Sequence, residues 1–116
     1  MVHMVELTVR DAAASARWYV AAFGFGIELT DAATGFVLLH HPGGGRLALR
    51  PGEPVAAGVK LHLRVADLDA EVERLRGIDI APHGAVKSSG EGYRRARFAD
   101  PDGVPVVLFE WCRPGA

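Results

Sequence analysis

One pattern is written twice in this chain and limits its fold more than any other feature. Leu61, Leu63 and Val65 alternate with Lys60, His62 and Arg64, and Asp67 then interrupts ahead of a helical stretch. Val5, Leu7 and Val9 alternate in the same way with Met4, Glu6, Thr8 and Arg10, ending at Asp11; a shift of 56 residues lays one copy on the other. Strict alternation puts apolar side chains on one face of a strand and polar ones on the other. An aspartate at the end of such a run accepts hydrogen bonds from the open amides of a following helix. Two half-length copies of strand, polar cap and helix are therefore expected to organise the protein.

Between the copies the chain is punctuated by turns. A first helix is expected over about Ala13–Ala22, with Ala12, Ala16, Tyr19 and Phe23 as its apolar stripe, Val20 beside it and Gly24 as its stop. Strands follow at 27–30, 36–41 and 46–50, the last two joined by Pro42-Gly43-Gly44-Gly45, a hairpin connection. Three glycines in a row also suit a phosphate loop, but no Lys-Ser/Thr and no helix start follow them. Pro51–Pro54 reads as a linker. The second half is expected to run as a strand over 59–65, a helix over 69–76 stopped by Gly77, and a short strand over 78–81. An irregular loop over 83–92 and strands at 93–98 and 104–111 complete it, with Asp100-Pro101-Asp102-Gly103 as a turn. The pattern is β-α-β-β-β twice, an α+β fold with paired modules at about 3–50 and 58–112 in one domain. Its mixed sheet is expected to curve like a cup, with the helices on the outer face.

Composition narrows the classes of function. Net charge is −1, so the molecule as a whole has no electrostatic reason to seek nucleic acid or an anionic membrane. Cys112 is the single cysteine and cannot build an intrachain disulfide framework. The N-terminal stretch has no basic segment followed by a long apolar one, and no apolar run is long enough to span a bilayer. Cytoplasmic is the default expectation. A 116-residue chain buries a modest share of its surface, which makes a homodimer the expected assembly.

The chain resembles the vicinal oxygen chelate superfamily of glyoxalases, bleomycin resistance proteins and extradiol dioxygenases. The residues that carry the resemblance are Val5–Asp11, Arg17-Trp18-Tyr19 and Phe23-Gly24-Phe25, then Leu61–Asp67, Phe98–Gly103 and Val106–Glu110. The resemblance implies paired βαβββ modules, and for the enzymes of the family a divalent metal held by His, His or Gln, and Glu. The positions matching those ligands are Met4, Lys60 and Val107. Val107 has no donor atom, Met4 offers a soft thioether, and Lys60 is a cation. His3 and Glu110 are each displaced by an odd number of residues and should point to the wrong side of their strands.

The remaining candidates share the inferred cup face. His62 is either a base or ligand contact or a histidine paired with Glu6. Alternation sends Arg95 and Arg97 into the cup with Lys60 and Arg64, against Glu6 alone; a charged outer surface is the competing account. Phe109 and Trp111 share the Val107 side and suit either a flat ligand or a dimer interface. His40 and His41 are adjacent and cannot converge on one ion from a strand. Asp100 and Asp102 look like paired carboxylates, but the turn explains them. The expected ligand-binding set is Met4, Glu6, Lys60, His62, Arg95, Arg97, Val107, Phe109 and Trp111, with no catalytic residue, metal or cofactor assigned. The leading expectation is a metal-free binder, close in character to the bleomycin resistance proteins, sequestering an antibiotic or related natural product, anionic and aromatic in type. The alternatives are a metal-dependent enzyme with atypical ligands and a small accessory dimer without a pocket.

Overall fold

In the computed structural model, which describes residues 2–112, the duplication is explicit. The elements are β1 (Val5–Val9), α1 (Ala12–Phe23), β2 (Gly26–Thr30), β3 (Val37–His40) and β4 (Arg46–Pro51), followed by β5 (Leu61–Arg64), α2 (Leu68–Arg76), β6 (Lys87–Ser88), β7 (Tyr93–Ala99) and β8 (Pro105–Trp111). They form two four-stranded sheets with the same plan, β1-β4-β3-β2 and β5-β8-β7-β6. In each, the first strand pairs in parallel with the last and the other neighbours are antiparallel. Neither sheet closes on itself. The chain divides into two compact units, one running to Ala56 and including Asp100–Asp102, the other holding Ala57–Ala99 and the residues from Gly103 onward. No helix among the described residues is long and apolar enough to cross a membrane.

In the first unit, Asp11 caps α1, its carboxylate accepting from the Ala14 amide at 3.0 Å. Gly24 ends the helix in the left-handed conformation, φ 74°, where a side chain would be strained. The expected stripe Ala12, Ala16, Tyr19 and Phe23 is buried, against Leu7 and Val9 of β1, Val37 and Leu39 of β3, and Leu47 and Leu49 of β4 on the facing side of the sheet. Val5, expected on the apolar face of β1, and Val20, beside the α1 stripe, are more exposed than those positions predict, at 43% and 38%.

The second unit repeats the capping. Asp67 accepts from the Ala70 amide at 3.1 Å, and Glu110 of β8 accepts from the Leu68 amide at 2.9 Å. Two of the open amides at the start of α2 are thereby satisfied. The buried layer is Leu68, Val72 and Leu75 of the helix over Ala96, Phe98, Val106 and Leu108. Strand β5 is shorter than expected, leaving Val59 and Lys60 outside it and Leu61 and Leu63 only half-buried.

Two expectations fail here, for one reason. The apolar run 78–81 is not a strand. The amides of Ile78, Asp79 and Ile80 turn back to the carbonyls of Leu75, Arg76 and Leu75, closing the helix end. Gly77 caps α2 as expected while staying right-handed, and Asp79 takes the left-handed position of the turn, φ 63°. Those amides are spent on the helix and unavailable to a ladder. The fourth strand of the sheet comes instead from the supposed loop 83–92, where Lys87 and Ser88 pair with Arg95 and Arg94.

Candidate functional site

The strands of the second sheet place their side chains on two distinct faces. Glu110 reaches the start of α2 and Arg94 pairs with Asp69 of α2 at 3.0 Å, so the Val106, Leu108, Glu110 and Arg94 side is the helix side. The opposite side follows from register. His62 of β5, Val107 of β8 and Arg97 of β7 form one cross-strand row. Arg64, Phe109, Arg95 and Lys87 form the next, across all four strands, and Tyr93 stands opposite Trp111 in a third. Six of the nine sequence candidates, His62, Arg95, Arg97, Val107, Phe109 and Trp111, therefore share one face.

Aromatic rings dominate one end of that face. Phe109 meets Tyr93 at 5.9 Å and Trp111 at 5.6 Å between ring centroids, and Tyr93 meets Trp111 at 5.5 Å, all edge to face. The His62 imidazole lies edge-on to Phe109 at 6.4 Å. Edge-to-face packing holds each ring at a fixed angle. Together His62, Tyr93, Phe109 and Trp111 line an open hollow of about 180 Å³ with an apolar floor. A second hollow of about 90 Å³ is lined by His83, Gly84, Ala85, Lys87, Arg95 and Arg97. Tyr93, His83 and Lys87 are absent from the sequence-derived set. Tyr93 was legible from its alternation with Arg95, whereas His83 and Lys87 were hidden in a stretch without periodicity.

The other candidates fall elsewhere. Met4 precedes β1 and Lys60 precedes β5, so neither occupies a position in its strand's ladder; both are exposed. Glu6 is engaged within its own unit, its carboxylate accepting from Arg50 Nε at 3.0 Å, while the Arg50 guanidinium lies 5.0 Å from the Phe36 ring centroid. It is thus not the lone carboxylate that the sequence sets against a group of cations. Residues two apart along neighbouring strands are within reach of long side chains, which accounts for the pair. Val107 is only 2% exposed, so on this face its side chain is part of the core and not open surface.

The family's metal centre does not fit these residues. The buried Val107 side chain is hydrocarbon, and Met4 and Lys60 lie outside their strands. Among the described residues no three His, Cys, Asp or Glu side chains gather as a group able to hold an ion. The histidines next to the first hairpin have local roles. His41 Nδ1 accepts from the Gly43 amide at 3.0 Å and its ring packs on Phe25, while His40 lies 4.0 Å from Glu28.

Asp100 and Asp102 also have structural work. Asp100 Oδ1 accepts from the Asp102 amide at 2.9 Å, and Gly103 takes φ 86°. Sequence reading missed the partner of the other oxygen: the Tyr19 hydroxyl donates to Asp100 Oδ2 at 2.7 Å, with both residues buried. Burial, and then the neighbouring Asp100 carboxylate, push the Tyr19 phenol far above its ordinary range.

The model of the Glyoxalase/Bleomycin resistance protein/Dioxygenase superfamily matches residues 1–108. No curated protein matches the sequence. Among solved structures, the integron cassette protein HFX_CASS4, from the mobile metagenome of Halifax Harbour sewage outfall, is 21% identical with a TM-score of 0.82, over 95% of this chain and 97% of that one. A glyoxalase/bleomycin resistance protein/dioxygenase from Nocardioides is 22% identical with a TM-score of 0.81, over 99% and 85% of the two chains. TnmS3, an antibiotic binding protein from Streptomyces sp. CB03234, is 25% identical with a TM-score of 0.78, over 96% and 95%.

Proposed function

Since this chain belongs to the glyoxalase/bleomycin resistance protein/dioxygenase superfamily, we propose that it is the binding kind of member, a metal-free protein that sequesters a small molecule without transforming it. The observation that carries the reading is the hollow of His62, Tyr93, Phe109 and Trp111, an apolar platform of fixed rings on a sheet face without a metal-binding set. Apolar, concave and ring-lined surfaces with few polar groups are how proteins take up flat organic ligands. The likeness to TnmS3, an antibiotic binding protein, supports an antibiotic or related natural product as the ligand class. A homodimer belongs to the same reading, because Ile27 and Leu29 on edge strand β2 remain 53% exposed and offer a second copy apolar surface to cover.

Two measurements test this. The first is elemental analysis of protein purified without chelators, with substoichiometric zinc, iron, manganese and nickel expected. A stoichiometric, tightly held metal would refute the metal-free reading and favour an enzyme with unusual ligands. The second is a calorimetric screen of polycyclic natural products against the native protein and Phe109→Ala. Binding that survives unchanged in Phe109→Ala would move the ligand off this face.

A further inference from the structure

The hollow beside the aromatic platform has a composition that folding alone does not explain. Arg46 pairs with Glu28, Arg50 with Glu6 and Arg94 with Asp69, so these strand arginines each have a carboxylate. Lys87, Arg95 and Arg97 take part in no ion pair among the described residues. Lys87 stands directly opposite Arg95 in the ladder, and like charges in that relation repel. Arg97 is two residues along the same side of β7, adding a third cation to the same hollow. The wall opposite is a turn at His83-Gly84-Ala85, fixed by the His83 amide donating to the Arg97 carbonyl at 2.7 Å and by Gly84 at φ 83°. Three cations gathered around one walled hollow, without an acidic partner, form an arrangement that an anion would stabilise.

We infer that the Lys87–Arg95–Arg97 hollow is an oxyanion subsite, taking the carboxylate or phosphate of a ligand whose flat body lies on the Phe109 platform. This rests on the ligand-binding reading of the same face and adds the ligand's charge and its direction. The hollow, roughly 90 Å³ and half the volume of the aromatic one, has room for one small oxyanion. Arginine presents paired donors that match both groups. Register supplies the link between the two hollows: Arg95 lines the cationic one and stands opposite Phe109, which lines the aromatic one. Neighbouring strands lie about 5 Å apart, so a naphthalene-sized body on Phe109 can present its anionic substituent to Arg95.

The test uses 2-naphthoate, 2-naphthyl phosphate, the neutral 2-naphthamide and inorganic phosphate, titrated calorimetrically into native protein, Arg95→Gln, Lys87→Gln and Phe109→Ala. The two anions should bind about tenfold or more tightly than the amide, weaken with added salt, and lose about tenfold in either cation variant. Relative affinity of the naphthoate and the phosphate tells which oxyanion the hollow prefers. Thermal melts guard against misfolding, since removing one of two facing cations should leave the melting temperature unchanged or raised at low salt. Equal binding of naphthoate and naphthamide, unaffected by Arg95→Gln but lost in Phe109→Ala, would overturn the oxyanion subsite while the aromatic reading stands. Phosphate binding that Arg95→Gln abolishes, with no naphthyl compound binding better than phosphate, would keep the subsite and refute the platform. Failure of every probe to bind the native protein would overturn both.

Discussion

Tyr19→Phe offers the sharpest test of whether Asp100 is a structural carboxylate or a reactive one. The substitution removes a single oxygen from a residue with no exposed surface, and Phe fills nearly the same volume. What is lost is a 2.7 Å hydrogen bond to a carboxylate that is itself 5% exposed. Hydrogen bonds to charged groups contribute roughly 1.5–3 kcal/mol, the upper part of that range applying where the abandoned acceptor stays buried. Asp100 keeps the Asp102 amide on its other oxygen, which argues for the middle of the range, about 2 kcal/mol. For a chain of this length that corresponds to a melting temperature lowered by roughly 6–10 °C. Urea unfolding should show the midpoint fall with an unchanged slope. The pH dependence supplies a second signature. A phenol whose folded pKa is raised favours the folded state below its ordinary value near 10 and withdraws that stability as pH climbs beyond it. Wild type should therefore lose stability steeply above pH 10, and Tyr19→Phe should lose that part of the slope. A destabilisation under about 0.5 kcal/mol with an unaltered alkaline limb would refute the argument, because it would mean that Asp100 does not depend on Tyr19.

Three further outcomes are expected. Val107→Glu should destabilise by roughly 2–4 kcal/mol, since it exchanges a buried apolar group for a carboxylate, and zinc or manganese should not restore its melting temperature; a metal-dependent rise would show that a binding set exists around this position. Glu110→Ala should cost about 1 kcal/mol by freeing the Leu68 amide, and hydrogen exchange should quicken at Leu68 first; unchanged exchange there would remove Glu110 as a cap. Asp79→Gly should stabilise by about 0.5–1 kcal/mol in urea, because glycine adopts φ 63° without strain; a loss of stability would mean the Asp79 side chain contributes an interaction worth more than that strain.

What could be read from the sequence was local. Asp11 and Asp67 announced both helices because a cap needs only a side chain and amides two or three residues away. Alternation placed Arg95 and Arg97 on one side of β7 and Phe98 on the other, since period two leaves no freedom once one residue is known to be buried. The failures involve partners far apart or strands too short to have a period. Tyr19 and Asp100 are separated by 81 residues, and neither residue type signals the other. Strand β6 is two polar residues long and carries no alternation to detect, which concealed Lys87, and the His83 turn beside it was concealed with it. Gly77 stops α2 as expected, but the left-handed residue of the turn that follows is Asp79, and an aspartate two positions past the cap gives no signal of that conformation.

The brevity of β6 has a bearing on how this protein behaves at high concentration. It is the outer strand of its sheet, and outer strands offer unpaired amides and carbonyls to any passing chain. A two-residue strand bearing an exposed lysine offers little length for such pairing and repels a second copy of itself. The charge of Lys87 therefore opposes edge-to-edge pairing of two copies of this sheet. Lys87→Val, a good strand former, is expected to promote fibrillar association, whereas the same loss of charge at Arg95, one strand further in, should leave the protein soluble.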